Sequence, residues 1–448
     1  MSLTGLAYLL VVGVGCLMSI SGRPFIGLLL YVFTFYFYAP GSWWGGSLPD
    51  LRWSLLSALV TLIGLFVENK KDIPSDGQTS LAVKFFSRPE FKLYLAFVLW
   101  IWLQSFWVIA PSYHREFAIM VTKFLLLFFL MHKILISEKR ILGFIVANII
   151  GCAYFGWIGL SNTSGRLEAV PTPGLADGNL LSLHMVPILL LGSFLLLCNY
   201  KKSKFLLVIP IALTLNAIFL TQSRGGMVGL VIGCLLALLF RPKALRGQIK
   251  LYILLAIFST VQLVPEDLVN RLSQAAGPEE ERDKSAESRF VIIEAQLKMF
   301  SNNPVFGYGH RGTLTLSPGY VDSSFLTSSS SGKVRGSHNL LMSLLVDFGV
   351  VGATFYILII FIFVRRLFKM RQKIIHLEKS TGNLYIMYLG GVCALVALMV
   401  SSMFSNSLRL EIDILLIGLL SAIYTKIQTE LPHEQASKQQ ALNNKGDS

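Results

Sequence analysis

Long apolar runs separated by short polar breaks recur along almost the whole chain. They fall at roughly 3–20, 24–40, 51–67, 92–110, 117–136, 141–160, 180–200, 205–221, 225–240, 250–265, 339–364, 384–405 and 410–426. A helix that crosses a bilayer needs about 20 apolar residues. Several runs sit at the short end of that range, so the pattern predicts 12 to 13 transmembrane helices. Whether both of the first two short runs span is left open. No stretch shows the ten-residue alternation of a membrane barrel strand. The predicted fold class is an all-α integral membrane protein, a polytopic helix bundle.

One polar break stands apart. Residues 265–338 form the only large loop, and structureless loops of that length are usually functional. The chain therefore divides into N-terminal helices (1–264), the loop (265–338), C-terminal helices (339–427) and a polar tail (428–448). The tail lacks periodicity and is predicted to be disordered. Within the loop, Pro278 to Asp283 is acidic and Ser323 to Gly332 is Ser-rich and reads as flexible. The segment 286–300 reads as a helix. Phe290, Ile293, Leu297 and Phe300 fall on one apolar stripe. Such a helix is expected on the membrane surface or over a cavity.

Composition agrees with the pattern. The 448 residues are 54% hydrophobic and only 14% charged, and mean hydropathy is +0.62. A soluble domain carries about 25% charged residues, so a soluble multidomain protein is excluded. The net charge of +14 first admits a nucleic-acid partner. The positions of the charges remove it. Alternate loops and the tail hold 25 Lys and Arg against nine Asp and Glu, while the other side holds 13 against 15. Basic loops stay in the cytoplasm. The excess is a topology signal, and it places the large loop outside the cytoplasm. The five cysteines are scattered through apolar runs, without the clustering of a disulfide framework or zinc site.

The polar residues of the extracytoplasmic side carry the candidate chemistry. Thr221-Gln222-Ser223-Arg224-Gly225-Gly226 interrupts an apolar stretch. Ser223 can cap the next helix, and its bare glycine turns with Arg224 would form an anion site. A tight turn with a snorkelling arginine is the plainer reading. His338, with Asn339, opens a long apolar helix near its positive end, which favours a neutral imidazole able to take a proton. The plainer reading is an interfacial histidine. Arg289 follows Ser288 at the head of the amphipathic segment; alone it reads as a solvated charge. Arg166 either joins an anion cluster or pairs with Glu168. Asp177 supports the site or merely caps the following helix. Asp347 and Lys123 lie within apolar runs, where ionisable residues are functional candidates by default. Gly307-Tyr308-Gly309-His310 reads as a flexible turn. The histidines are scattered, with no HExxH or Cys/His cluster, so neither a metal nor a cofactor is expected.

These pieces come in a recognisable order. Ser223-Arg224-Gly225 is followed by Ser288-Arg289, then by Asn303-Pro304-Val305-Phe306-Gly307-Tyr308-Gly309. His338-Asn339 and Phe348-Gly349-Val350-Val351-Gly352 complete the set. Together they resemble the bacterial O-antigen ligase / O-antigen polymerase superfamily, over about 180–364 in motif and the whole chain in hydropathy. Arg23-Pro24-Phe25-Ile26-Gly27-Leu28-Leu29-Leu30 and Trp43-Trp44 are similar to one subgroup, the O-glycosylation ligases found beside exosortase systems. The chain departs from that subgroup at Gly178, where an Asn is common.

The resemblance implies a membrane glycosyltransferase of GT-C type in the bacterial inner membrane, active on the periplasmic face. Its donor would be a glycan on a polyprenyl (undecaprenyl) diphosphate, and its acceptor a hydroxyl of a glycan, lipid or protein. No metal or nucleotide sugar would be needed. Arg224 and Arg289 would hold the donor diphosphate, His338 would be catalytic, and Arg166, Asn339 and Asp177 would support them. A polymerase of the same superfamily is the alternative. A polysaccharide transporter is a third reading; it would place functional charges at mid-membrane in two related halves, and no internal repeat is present.

Overall fold

A computed structural model describes residues 2–68, 85–161, 165–168, 170–200, 202–251, 253–254, 284–326, 338–375 and 382–446. Among these, every regular element is helical. The N-terminal half holds α1 (Leu3–Ile20), α2 (Pro24–Tyr36), α3 (Trp53–Val67), α4 (Pro89–Gln104) and α5 (Pro111–Ile134). It continues with α6 (Glu138–Leu160), α7 (Gly178–Leu195), α8 (Val208–Leu220) and α9 (Arg224–Phe240). The large loop contributes α10 (Lys284–Asn302) and α11 (Gly312–Leu316), and α12 (Leu340–Ile375), α13 (Asn383–Ser401) and α14 (Glu411–Gly446) follow.

Eight of the described helices are long and apolar enough to cross a membrane, and three shorter apolar ones accompany them. The chain is thus an all-α, multi-pass membrane protein. The expected run at 250–265 lies almost wholly outside the described residues, as do the acidic stretch and most of the Ser-rich stretch. The tail differs from its expectation. α14 continues to Gly446, because Glu, Gln, Lys and Ala are good helix formers and the apolar helix before them supplies the nucleus.

Burial sorts the helices. The most apolar windows of α7 and α13 are each 83% buried and that of α14 78%, against 28% for α1. The first three form the centre, while α1 turns Leu3, Leu10 and Leu17 outward, as a lipid-facing helix should.

Alternating direction gives the bundle two ends. At the basic end, Glu90 at the start of α4 receives both terminal guanidinium nitrogens of Arg366 at 2.9 and 2.6 Å. Arg366 also lies over the Tyr424 ring at 4.2 Å, and Arg140 pairs with Glu68 at 3.1 Å. The near-neutral end carries the α2–α3, α4–α5, α6–α7, α8–α9 and α13–α14 connections and the large loop.

α12 is broken at Gly349 (φ 66°, ψ −177°). A side chain there would strike the Val305 carbonyl, so glycine is required for space as well as for backbone conformation. The Asn303–Gly309 segment docks into the break. Val350 N donates to Pro304 O at 2.8 Å, Tyr308 N to Val346 O at 3.0 Å and Gly309 N to Asp347 O at 2.7 Å. The two glycine motifs of the sequence are thus two halves of one joint, and backbone groups freed by the break are satisfied within protein.

Candidate active site

Three of the helices that begin at the near-neutral end, α7, α9 and α12, carry a side-chain cap there. Asp177 accepts from Asn179 N (2.7 Å) and Leu180 N (3.3 Å) at the start of α7. Ser223 accepts from Gly226 N at 3.2 Å at the start of α9. Asn339 accepts from Met342 N at 3.0 Å at the start of α12. Helix starts carry unsatisfied N–H groups and partial positive charge, which together favour anions.

Packing brings these starts together. Leu340 N donates to Ser402 O at 2.8 Å, tying α12 to the end of α13. A Cβ at Gly225 would meet Phe404, one at Gly229 would strike Ser401, and one at Gly226 would strike Ser182 of α7. The glycines of this turn were expected to leave backbone N–H groups bare. Instead all three are buried and serve close helix approach. The α6–α7 loop closes the group. Leu167 N donates to Leu220 O at 2.8 Å, and Arg166 Nε donates to Thr221 O at 2.8 Å.

The charged candidates gather on this platform. Arg224 is the first residue of α9 and is half-buried. Arg166 lies against Gly178 and pairs with Glu168 at 2.7 Å. Asp177 caps α7 while remaining exposed. Arg289, on α10, is half-buried. Desolvation by surrounding protein, then the Arg289 charge, hold the His338 imidazole below its ordinary range, and Asp177 opposes them. Arg289 and Asp177 therefore each sit within electrostatic reach of His338. His338 still keeps solvent access. Its backbone is left-handed (φ 52°), as is that of Gln222 beside the arginine turn (φ 50°). Non-glycine residues in this region cluster at functional sites.

α10 is helical as expected, but its face is not the expected one. Ile292, Ala295, Gln296 and Met299 are buried, whereas Phe290 is 69% and Leu297 50% exposed. The helix has two apolar rows, and the one that packs beside Val346 of α12 is the inner. Of the expected stripe, Phe290 and Leu297 face outward, available to a membrane surface, while Ile293 is half-buried and Phe300 packs against the inner cluster.

A buried polar network holds this loop. Asp347 accepts from Arg311 N and Thr313 N, each at 3.1 Å, and so caps α11. Gln296 Nε2 on α10 lies 3.1 Å from Thr313 Oγ1. His310 N donates to His114 Nδ1 at 2.9 Å, and His114 Nε2 donates to Ile101 O at 2.7 Å. The His310 ring stacks on Phe117 at 4.2 Å. Burial pushes its pKa down to about 3, and Arg409, Arg311 and His114 add to the effect. The segment read as a flexible turn is locked on both sides. Gln104 Nε2 donates to Asp347 O at 3.1 Å, and Asp347, an ionisable residue within an apolar run, was the sequence signal of this network. Among the described residues, no group of three or more His, Cys, Asp or Glu side chains could hold a metal ion.

Residues 209–357 match the family model for O-antigen ligase. The matched segment includes Arg224, Arg289, His338 and the joint at Gly349; Arg166 and Asp177 lie before it. The match supports the superfamily read from the ordered motifs and, with it, a membrane protein of glycan ligation. It does not distinguish the exosortase-associated subgroup. No curated protein matches the chain.

Proposed function

We propose that the chain transfers a glycan from a polyprenyl diphosphate donor to an acceptor hydroxyl, at the periplasmic face of the bacterial inner membrane. The reading rests on His338 lying within electrostatic reach of Arg289 and on Arg224 opening α9, whose start packs against α7 and the end of α13. A diphosphate needs positive charge and convergent donors at the membrane surface. Arginine supplies both, because its planar fork pairs phosphate oxygens bidentately.

The chemistry follows from these groups. The acceptor oxygen forms a bond to the anomeric carbon while the bond from that carbon to the diphosphate oxygen breaks. The acceptor proton passes to His338, held neutral by its surroundings. The leaving diphosphate takes the bonding electron pair, and Arg224 and Arg289 offset its charge. Asp177 stabilises the imidazolium that results. Arg166 and Asn339 hold the turns that present Arg224 and His338. No metal or cofactor is required.

Purified protein with a defined lipid-linked donor and an acceptor tests the reading. Transfer should proceed equally with and without chelator. Loss of transfer on chelation would overturn the metal-free chemistry, and absence of transfer under both conditions would overturn the assignment. Deleting the gene separates ligase from polymerase. Unattached long chains mark a ligase, and single-repeat glycan on the acceptor marks the polymerase.

A further inference from the structure

We propose that a cavity beside this platform binds a net-anionic lipid by its phosphate, as a site distinct from that of Arg224, Arg289 and His338. The cavity has a volume of about 730 Å3 and runs between α2, α3, α5, α7 and the start of α14. The loop at 173–180 joins the two places: Pro173, Gly174, Leu175 and Leu180 line the cavity, and Asp177 between them faces His338 electrostatically.

Its lining is amphipathic. Arg52, Lys123 and Arg409 supply three cations against one carboxylate, Glu411. That balance selects an anion. Below them Phe35, Ala58, Phe124, Leu126 and Leu127 make an apolar wall, which suits a hydrocarbon chain. Lys123 lies about 18 Å along α5 from its start, at 1.5 Å per residue, roughly mid-way through a hydrocarbon core of about 30 Å. A cation at that depth is costly unless it meets a partner. Here it faces the cavity, not lipid. Two further buried polar atoms on this lining, His184 Nδ1 and Glu411 Oε2, have no hydrogen-bond partner in the protein. Tyr36 holds the other nitrogen of His184 at 2.8 Å, and Tyr31 bonds Glu411. Buried polar groups are nearly always satisfied, so the pair marks a place where a head group completes the bonding. The phosphate would lie among Arg52, Arg409 and the upward-reaching Lys123, with its hydroxyls or glycerol at Glu411 and His184.

Two sources share this chemistry, a carrier-lipid phosphate and an ordinary anionic phospholipid. Native mass spectrometry of the purified full-length protein distinguishes them, using undecaprenyl phosphate, phosphatidylglycerol and zwitterionic phosphatidylcholine at matched concentration. Either anionic lipid should be retained about tenfold over phosphatidylcholine, as expected for one or two charge-assisted hydrogen bonds. Retention of undecaprenyl phosphate alone assigns the site to the carrier lipid, and retention of phosphatidylglycerol assigns it to the bilayer. The double variant Lys123→Met, Arg409→Gln should fall to the phosphatidylcholine level. Arg409→Gln alone, at an exposed position that leaves the walls intact, should fall about two- to fivefold, the range for an exposed ion pair. Arg224→Lys, which is expected to impair transfer, should retain phosphatidylglycerol as the wild type does, so loss of the transfer reading leaves this one standing. Equal retention of all three lipids, or unchanged retention in both cavity variants, overturns the proposal.

Discussion

The two ends of the bundle treat their charges in opposite ways. At the basic end arginine is neutralised: Arg366 locks onto Glu90 with both terminal nitrogens, with Ser421 also donating to Glu90 at 2.8 Å. At the near-neutral end, Arg224 opens α9 and His338 precedes α12, at helix starts whose partial positive charge favours anions. We read the first end as serving cohesion and orientation, and the second as serving a ligand.

Variants at the two ends should separate these roles. The largest effect is expected from His338→Ala, which should lower transfer by about 10²- to 10⁴-fold, the usual contribution of a general base, at unchanged protein level and melting temperature. Arg366→Met should do the reverse. It strands Glu90 in a buried site, which costs about 3–5 kcal/mol; thermal melting should fall sharply while transfer per folded molecule stays near normal. If Arg366→Met instead abolished transfer at an unchanged melting temperature, the division between ends would fail.

Arg224→Lys keeps the charge but loses the bidentate fork, and transfer should drop about 10- to 100-fold for loss of about 1.5–3 kcal/mol. Full activity would reduce Arg224 to a topology residue. Gly226→Ala forces α7 and α9 apart at Ser182 and should cost about 1–3 kcal/mol of stability, the range for overpacking. An unchanged melt would show that the helix starts have room to spare.

The smallest effect is a displacement in pH. In the proposed chemistry His338 is the neutral base, and its pKa lies below the ordinary value of 6.5. Transfer should therefore be level around neutrality and fall only as pH drops through the lowered pKa. Arg289→Gln removes a charge that depresses it, so the acid limb should move up toward 6.5. Asp177→Asn removes a charge that raises it, so the limb should move further down. Shifts in the same direction for both variants would contradict the placement of these charges around His338.

The bundle was legible because lipid leaves few choices: apolar runs of fixed length and a basic bias in alternate loops. Caps were legible for the same local reason, since Ser223, Asp177 and Asn339 bond within three residues of themselves. Long-range pairing was not. His310 meets His114 across 196 residues of chain, and Asp347 meets a turn 34 to 36 residues before it. Nothing local specifies either. The inner face of α10 was missed because Phe290 and Ile292 both begin an apolar row, and only the docking partner decides which is buried. The glycines after Arg224 were visible, but whether they open a turn or admit a neighbour depends on Phe404, Ser182 and Ser401.

The central claim is that the cations gathered at the near-neutral end move a glycan off a lipid diphosphate. Its most direct test is the rate of transfer by purified wild type and His338→Ala, side by side, from one defined polyprenyl diphosphate-linked glycan. The account predicts glycosylated acceptor and released polyprenyl diphosphate from the wild type, and neither above background from the variant. Product formed at the wild-type rate by a correctly folded His338→Ala would contradict it.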